Sequence, residues 1–426
     1  MKYDFVLILM NFFIFSSNDI IKLPFYKQIS NNFISNYLNI ELNTNLMIGN
    51  PYQKIEMTLS LLTNSFILKG LLFNSEFNEK KSNKFIKYNK SGYIFYDQEL
   101  FNIEYCSDNI LFENYINTNL KNNISIESFK FQLLNDTSMK EIFKTGIIGL
   151  DNNIIRDMND ESFIEQLFNK LIIKKKVFFL NYENYTFGKI IFGNLPHLID
   201  NKPYTEKYYV KVKKDYFSTW TLSFKHLYIG NQKFNGSVGE FNFHFKGLIF
   251  DKPIKKQLDD IYFNKYKYFE KKICVEYKYE VLKRNILVYK CSESLNIKNF
   301  PKIQLYHYSL NYTFEFDGNE LFIKDEFEKQ YVFLISFIEK QSRWYLGEIF
   351  LRKYMVIFNE EEQYIGFYIH PNQKSNFFNF SKTILIIFVF IIMMCIIIIL
   401  SYYLWKAHKN KRKIRANELE DNYEYF

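Results

Sequence analysis

From residue 36 to residue 369 the chain is cut into short apolar stretches separated by Asn, Lys and Gly, a pattern that points to β-structure almost throughout. FNIEY, KVFFL, KIIFG, YVKV and YVFLISFIE are alternating or continuously apolar and read as strands. Only Asp160 to Ile172, Pro253 to Lys267 and Gly347 to Lys353 read as helices. With 426 residues, 48% of them hydrophobic, the chain can fill two sizeable cores, because a single core stops growing near ~250–300 residues. Phe, Tyr, Ile, Asn and Lys are all abundant, which reads as codon bias, so asparagine runs and lysine clusters carry less meaning than usual.

Specific segments punctuate this pattern in a fixed order. Ile48-Gly49-x-Pro51-x-Gln53 forms a turn that leads into an apolar strand ending Ser60-Leu61-Leu62. GIIGL (Gly146 to Leu150), FGKIIFG (Phe187 to Gly193) and WTLSFKHLYIG (Trp220 to Gly230) follow, and WYLGEIFLRKYMVIFNEEEQYIGF closes the series at Trp344 to Phe367. Together these resemble the pepsin-like aspartic proteases (peptidase A1) over roughly residues 36 to 369. The resemblance implies an all-β, two-lobed double β-barrel with a few short helices, its lobes at 36–195 and 204–369 and their boundary near Pro196 to Tyr204.

The resemblance also implies two catalytic aspartates on facing glycine-containing loops. Ser60 stands at the first position, with Leu61 and Leu62 replacing the following Thr-Gly. No D-[TS]-G occurs in the chain, so the second loop is placed by its neighbours: Gly230 before it and Pro253 after it both point to His244. Asp251 is the alternative, but it would put Pro253 inside the loop. Paired carboxylates share one proton and so activate water and protonate a leaving amine. A hydroxyl and one imidazole lack the second acid. The pair could instead act as nucleophile and base, or both loops could serve packing alone. Tyr105, in YCSDN after FNIE, is assigned by resemblance as the flap tyrosine and as a peptide-binding residue.

Two apolar segments set an expected topology. Residues 1–17, with Lys2 before FVLILMNFFIF, have the shape of a signal peptide, although Asp4 leaves a retained anchor open. Residues 384–405 are apolar and long enough to span a bilayer, which takes ~20 residues. Lys406, Lys409, Lys411, Arg412, Lys413 and Arg415 follow and place the tail 406–426 in the cytosol. The expected protein is therefore a single-pass type I membrane protein of the secretory pathway or cell surface, with a stalk at 371–382. The basic run reads as a stop-transfer signal and not as a nucleic-acid patch.

Cysteine usage fits an oxidising compartment. Cys274 and Cys291 flank an expected strand pair and are expected to form a disulfide, Cys395 falls in the span, and Cys106 is left as either a buried or capped thiol or one that forms an intermolecular disulfide or is exposed and redox-sensitive. Sequons at Asn89, Asn123, Asn135, Asn184, Asn235, Asn311 and Asn379 are glycosylation candidates. The six histidines lack metal-ligand spacing and no Gly-rich phosphate loop occurs, so no cofactor and no metal are expected. Three functions fit: an inactive homologue that binds an extended peptide or protein in its cleft, an active aspartic endopeptidase with an atypical site, or a structural or adhesive surface protein on the same scaffold. The ligand and the oligomeric state cannot be read from the residues.

Overall fold

A computed structural model describes residues 20–27, 40–70, 77–96, 99–116, 120–134, 146–151, 161–199, 207–211, 220–281, 284–325, 328–338 and 343–368, with short pieces of 393–406. The signal segment 1–17, the stalk and the tail beyond Lys406 lie outside them, as do Asn135, Asn379, Cys395 and most of 384–405. The chain divides into a unit from Met1 to Pro371 and a second from Asn372 to Phe426.

The first unit is built almost wholly of strands, as the apolar pattern requires. Its first half holds β1 (Ile21–Lys27), β2 (Leu42–Ile48), β3 (Gln53–Ser60), β4 (Phe66–Lys69), β5 (Ile86–Tyr96), β6 (Glu99–Ile116), β7 (Leu120–Leu134), β8 (Gly146–Gly149), β9 (Val177–Tyr182) and β10 (Phe187–Phe192). The second half holds β11 (Lys207–Lys211), β12 (Thr221–Ser223), β13 (His226–Ile229), β14 (Gln232–Asn235), β15 (Val238–Phe241), β16 (Leu248–Asp251), β17 (Cys274–Val281) and β18 (Arg284–Ser292). It continues with β19 (Ile303–His307), β20 (Tyr312–Phe316), β21 (Phe322–Asp325), β22 (Gln330–Phe333), β23 (Ile335–Ile338), β24 (Arg343–Leu346), β25 (Val356–Asn359) and β26 (Tyr364–Tyr368).

These strands form sheets of thirteen, nine and four. The thirteen-stranded sheet joins the two halves of the chain: β11, β26, β25, β9, β10 and β1 are successive antiparallel neighbours, with Ile357 opposite Phe179 where late sequence meets early. β1 precedes the expected start of the first lobe at residue 36. Its alternation, with Ile21, Leu23 and Phe25 buried, is a strand signal that the family motifs do not cover.

The three expected helices form, the first two shorter than read and the third displaced by one residue. Phe163–Asn169 is capped by Ser162, whose hydroxyl accepts from the Glu165 amide, and Lys252–Leu258 carries Pro253 in its first turn, where the missing N–H costs nothing. Glu348–Tyr354 follows β24 directly. The stretch YVFLISFIE, read as one run, is divided between β22 and β23. Cys274 lies directly opposite Cys291 on the β17–β18 hairpin and the two form the expected disulfide.

A three-strand arrangement occurs twice and positions everything that follows. In one copy β8 runs parallel to β3 and antiparallel to β4, threading between the two ends of loop 61–65. In the other, β24 runs parallel to β15 and antiparallel to β16, beside loop 242–247. Threading brings backbones into contact, and only glycine permits that. A Cβ on Gly149 would stand 2.4 Å from the Ser65 carbonyl oxygen, and one on Gly347 would stand 2.2 Å from that of Phe245.

Candidate functional site

Ser60 ends β3, where the strand gives way to the loop. Its carbonyl accepts from the Leu150 amide at 2.8 Å, and the Ser65 carbonyl accepts from Gly149 at 2.9 Å, so GIIGL holds the loop from behind. The side chain of the turn residue Gln53 bonds both backbone groups of Asn78, at 2.8 and 2.9 Å, and ties the entry turn down. In the second loop the His244 amide donates to Asn242 Oδ1, its carbonyl accepts from Ile40, and the Phe245 carbonyl accepts from Glu348 at the start of the last helix.

The two loops meet. Ser60 Oγ lies 3.3 Å from His244 Nε2, and both residues are buried. Ser60 Oγ also accepts the Leu62 amide proton at 3.2 Å, which leaves its own proton for the imidazole. Burial alone pulls His244 down to about 4, so its ring is neutral at ordinary pH. No charged neighbour enters that balance: an adjacent carboxylate would hold the ring's proton on and raise the value. Asp251, the alternative second-loop residue, sits at the end of β16 as the N-cap position of Lys252–Leu258.

A third group reaches the same nitrogen. Tyr96 Oη lies 3.3 Å from His244 Nε2 and is buried. Tyr96 ends β5 and pairs with Glu99 of β6, so it stands directly before the reversal of the β5–β6 hairpin. The family resemblance assigns the flap tyrosine nine positions later, to Tyr105. That residue lies within β6 opposite Gln132 of β7, with the Lys90 ammonium 4.6 Å from its ring centroid, and it packs on the same apolar cluster as Leu62 of the first loop. Of the two tyrosines, it is Tyr96 that reaches the imidazole of the second loop.

The neighbourhood holds other buried ionisable groups. Lys246, two residues past His244, has its ammonium 3.6 Å from the Tyr185 ring centroid, and burial pulls it down to about 7. Glu240 on β15 is pushed up to about 7 by burial, against the opposing pull of Arg343 at 3.6 Å. Cys106 on β6 is a buried free thiol pushed up to about 12 by burial, which disfavours the reactive thiolate form. Among the described residues no three His, Cys, Asp or Glu side chains stand together as a metal site. The described sequon asparagines Asn89, Asn123, Asn184, Asn235 and Asn311 are all exposed.

The sequence model of the eukaryotic aspartyl protease family matches residues 43–368, which span both threaded loops and the last helix. The chain belongs to the eukaryotic aspartyl protease family. No curated protein matches it significantly. Membership in the aspartyl protease family accounts for a protease-like scaffold with two facing loops, and it makes the chemistry of the groups on those loops the central question.

Proposed function

We propose that this chain is a membrane-anchored aspartyl protease homologue that does not hydrolyse peptides and uses its cleft to hold an extended peptide or protein segment. The observation that carries the reading is the 3.3 Å approach of Ser60 Oγ to His244 Nε2 at the point where the two loops converge. Water activation in this family needs two carboxylates sharing a proton. Here a hydroxyl that does not titrate faces an imidazole kept neutral by burial. A serine route is also unsupported, because among the described residues no acidic group acts on the His244 ring to stabilise the imidazolium that proton abstraction would create.

Strand-like recognition of an extended peptide does not depend on the acid pair, since main-chain bonds and side-chain pockets supply it. The Tyr96 contact adds a condition: the hairpin end rests on His244, so a ligand crossing the middle of the cleft must displace it. Anchoring is inferred from the apolar segment 384–405 and the basic cluster after it. Among the described residues no helix is long and apolar enough to cross a membrane, but those described at 399–403 are helical and exposed, including Ile399, Leu400, Tyr402 and Tyr403.

Family membership favours one competing reading, an active endopeptidase with an atypical site. Panning the full-length protein against a peptide library separates the possibilities: extended binders that compete with one another support the proposal. Absence of any enrichment favours a structural or adhesive surface role, and pepstatin-sensitive cleavage of library peptides establishes the endopeptidase.

A further inference from the structure

The β5–β6 pairing contains an irregularity that the protease scaffold does not require for its two loops. Lys87 pairs with Cys106 and the next registered pair is Ser91 with Glu104, so Tyr88, Asn89 and Lys90 face the single residue Tyr105. Two extra residues on one strand push it outward, as bulges do where a sheet is re-aimed around a site. Behind the bulge is a cavity of about 360 Å³, at the small end of the range for ligand pockets, which runs from ~300 to ~1,000 Å³. None of its lining residues belongs to loops 61–65 or 242–247.

Its lining combines aromatic rings with lysines. Phe66 and Phe131, both buried and edge to face at 6.2 Å, line the cavity together with Tyr88 and Tyr105. Tyr88 is held by a 2.9 Å contact between its hydroxyl and Ser107 Oγ. Lys90 and Lys130 stand in the lining against one carboxylate, Glu161, which lies 3.3 Å from Lys130. The lining thus carries a net positive charge beside four aromatic rings. Flat rings pack well on such walls, and a lysine ammonium attracts an anion as a point charge.

We propose that this pocket binds a small aromatic molecule bearing one anionic group, its ring against Phe66, Phe131 and Tyr105 and its charge toward Lys90 and Lys130. The occupant is one or two rings in size, as the volume dictates. Binding here is independent of the peptide-binding reading of the cleft, and either can fail without the other.

The test is calorimetric titration of the full-length protein, shown by peptide mass to carry no glycan on Asn89, with 2-naphthoate and with its neutral analogue 2-naphthamide. Saturable one-to-one binding of the carboxylate, about tenfold tighter than the amide, is expected. The double variant Lys90→Glu, Lys130→Glu changes only partly exposed side chains. It should weaken 2-naphthoate by at least about tenfold while leaving 2-naphthamide binding unchanged and lowering the unfolding midpoint by no more than the loss of the exposed Lys130–Glu161 pair accounts for. No saturable binding of either compound, equal affinity for both, or an affinity for 2-naphthoate unaffected by the double variant would overturn the assignment.

Discussion

His244 is where burial and chemistry conflict most directly. The unfolded chain takes up a proton on this imidazole near the ordinary value of 6.5, whereas the folded chain resists until about 4. Between those values the unfolded state binds more protons, so stability falls as the pH drops through that window and is intact above it, by up to about 3 kcal/mol for a shift of this size. His307, also pulled down to about 4 by burial, acts in the same direction. Equilibrium denaturation across that pH range should therefore show an acid-side loss that shrinks, but does not vanish, in His244→Gln. An equally steep profile in the variant would mean that the ring is solvated. Ser60 and His244 were legible in sequence because their neighbours keep spacing: Gly230, Pro253 and GIIGL sit where backbone geometry dictates, whatever the side chains at the loop tips. Tyr96 was not legible, because among 34 tyrosines the one before a reversal without glycine carries no local mark.

Among the elements, the β5–β6 hairpin is the one that, in the proposed peptide-binding reading, decides access to the cleft. Its hold on the floor includes the Tyr96 to His244 contact at 3.3 Å, and one such hydrogen bond contributes about 1 kcal/mol net. Tyr96→Phe should accordingly raise the affinity of cleft-binding peptides by about fivefold, measured by titration with a binder recovered from panning. Weaker binding would show instead that the hydroxyl serves the ligand. The β17–β18 hairpin is held differently, by Cys274 and Cys291 at a separation of 17 residues. Closing a loop of that length stabilises by about 3 kcal/mol in the chain-entropy account, so the double Cys→Ala variant should lose about that much in denaturant titration, and a loss near zero would point to residual order in the unfolded hairpin. Most strands could be read from their apolar runs. The bulge in β5 could not, because a shift of register changes pairing without changing residue type.

Across the whole molecule, ion pairs connect distant parts of the chain as the shared sheet does. Lys27 of β1 pairs with Glu348 at the start of the last helix, and Arg352 joins the same carboxylate at 3.3 Å. The Lys27 and Glu348 side chains are buried, so Glu348→Ala would leave the Lys27 ammonium buried without its counter-charge and should cost about 3–5 kcal/mol. The exposed pair Lys130–Glu161 should cost under about 1 kcal/mol when broken. Thermal unfolding of the two single variants checks the contrast, and similar losses would contradict it. The merger of the two expected lobes through β25 and β9 was not legible, because strands that pair across more than 150 residues leave no mark in either segment. The central claim concerns chemistry, and the most direct measurement is cleavage of an unfolded protein by purified full-length chain from acidic to neutral pH, with and without pepstatin. The account predicts no cleavage at any pH; pepstatin-sensitive cleavage that disappears in a Ser60→Ala, His244→Ala variant would contradict it.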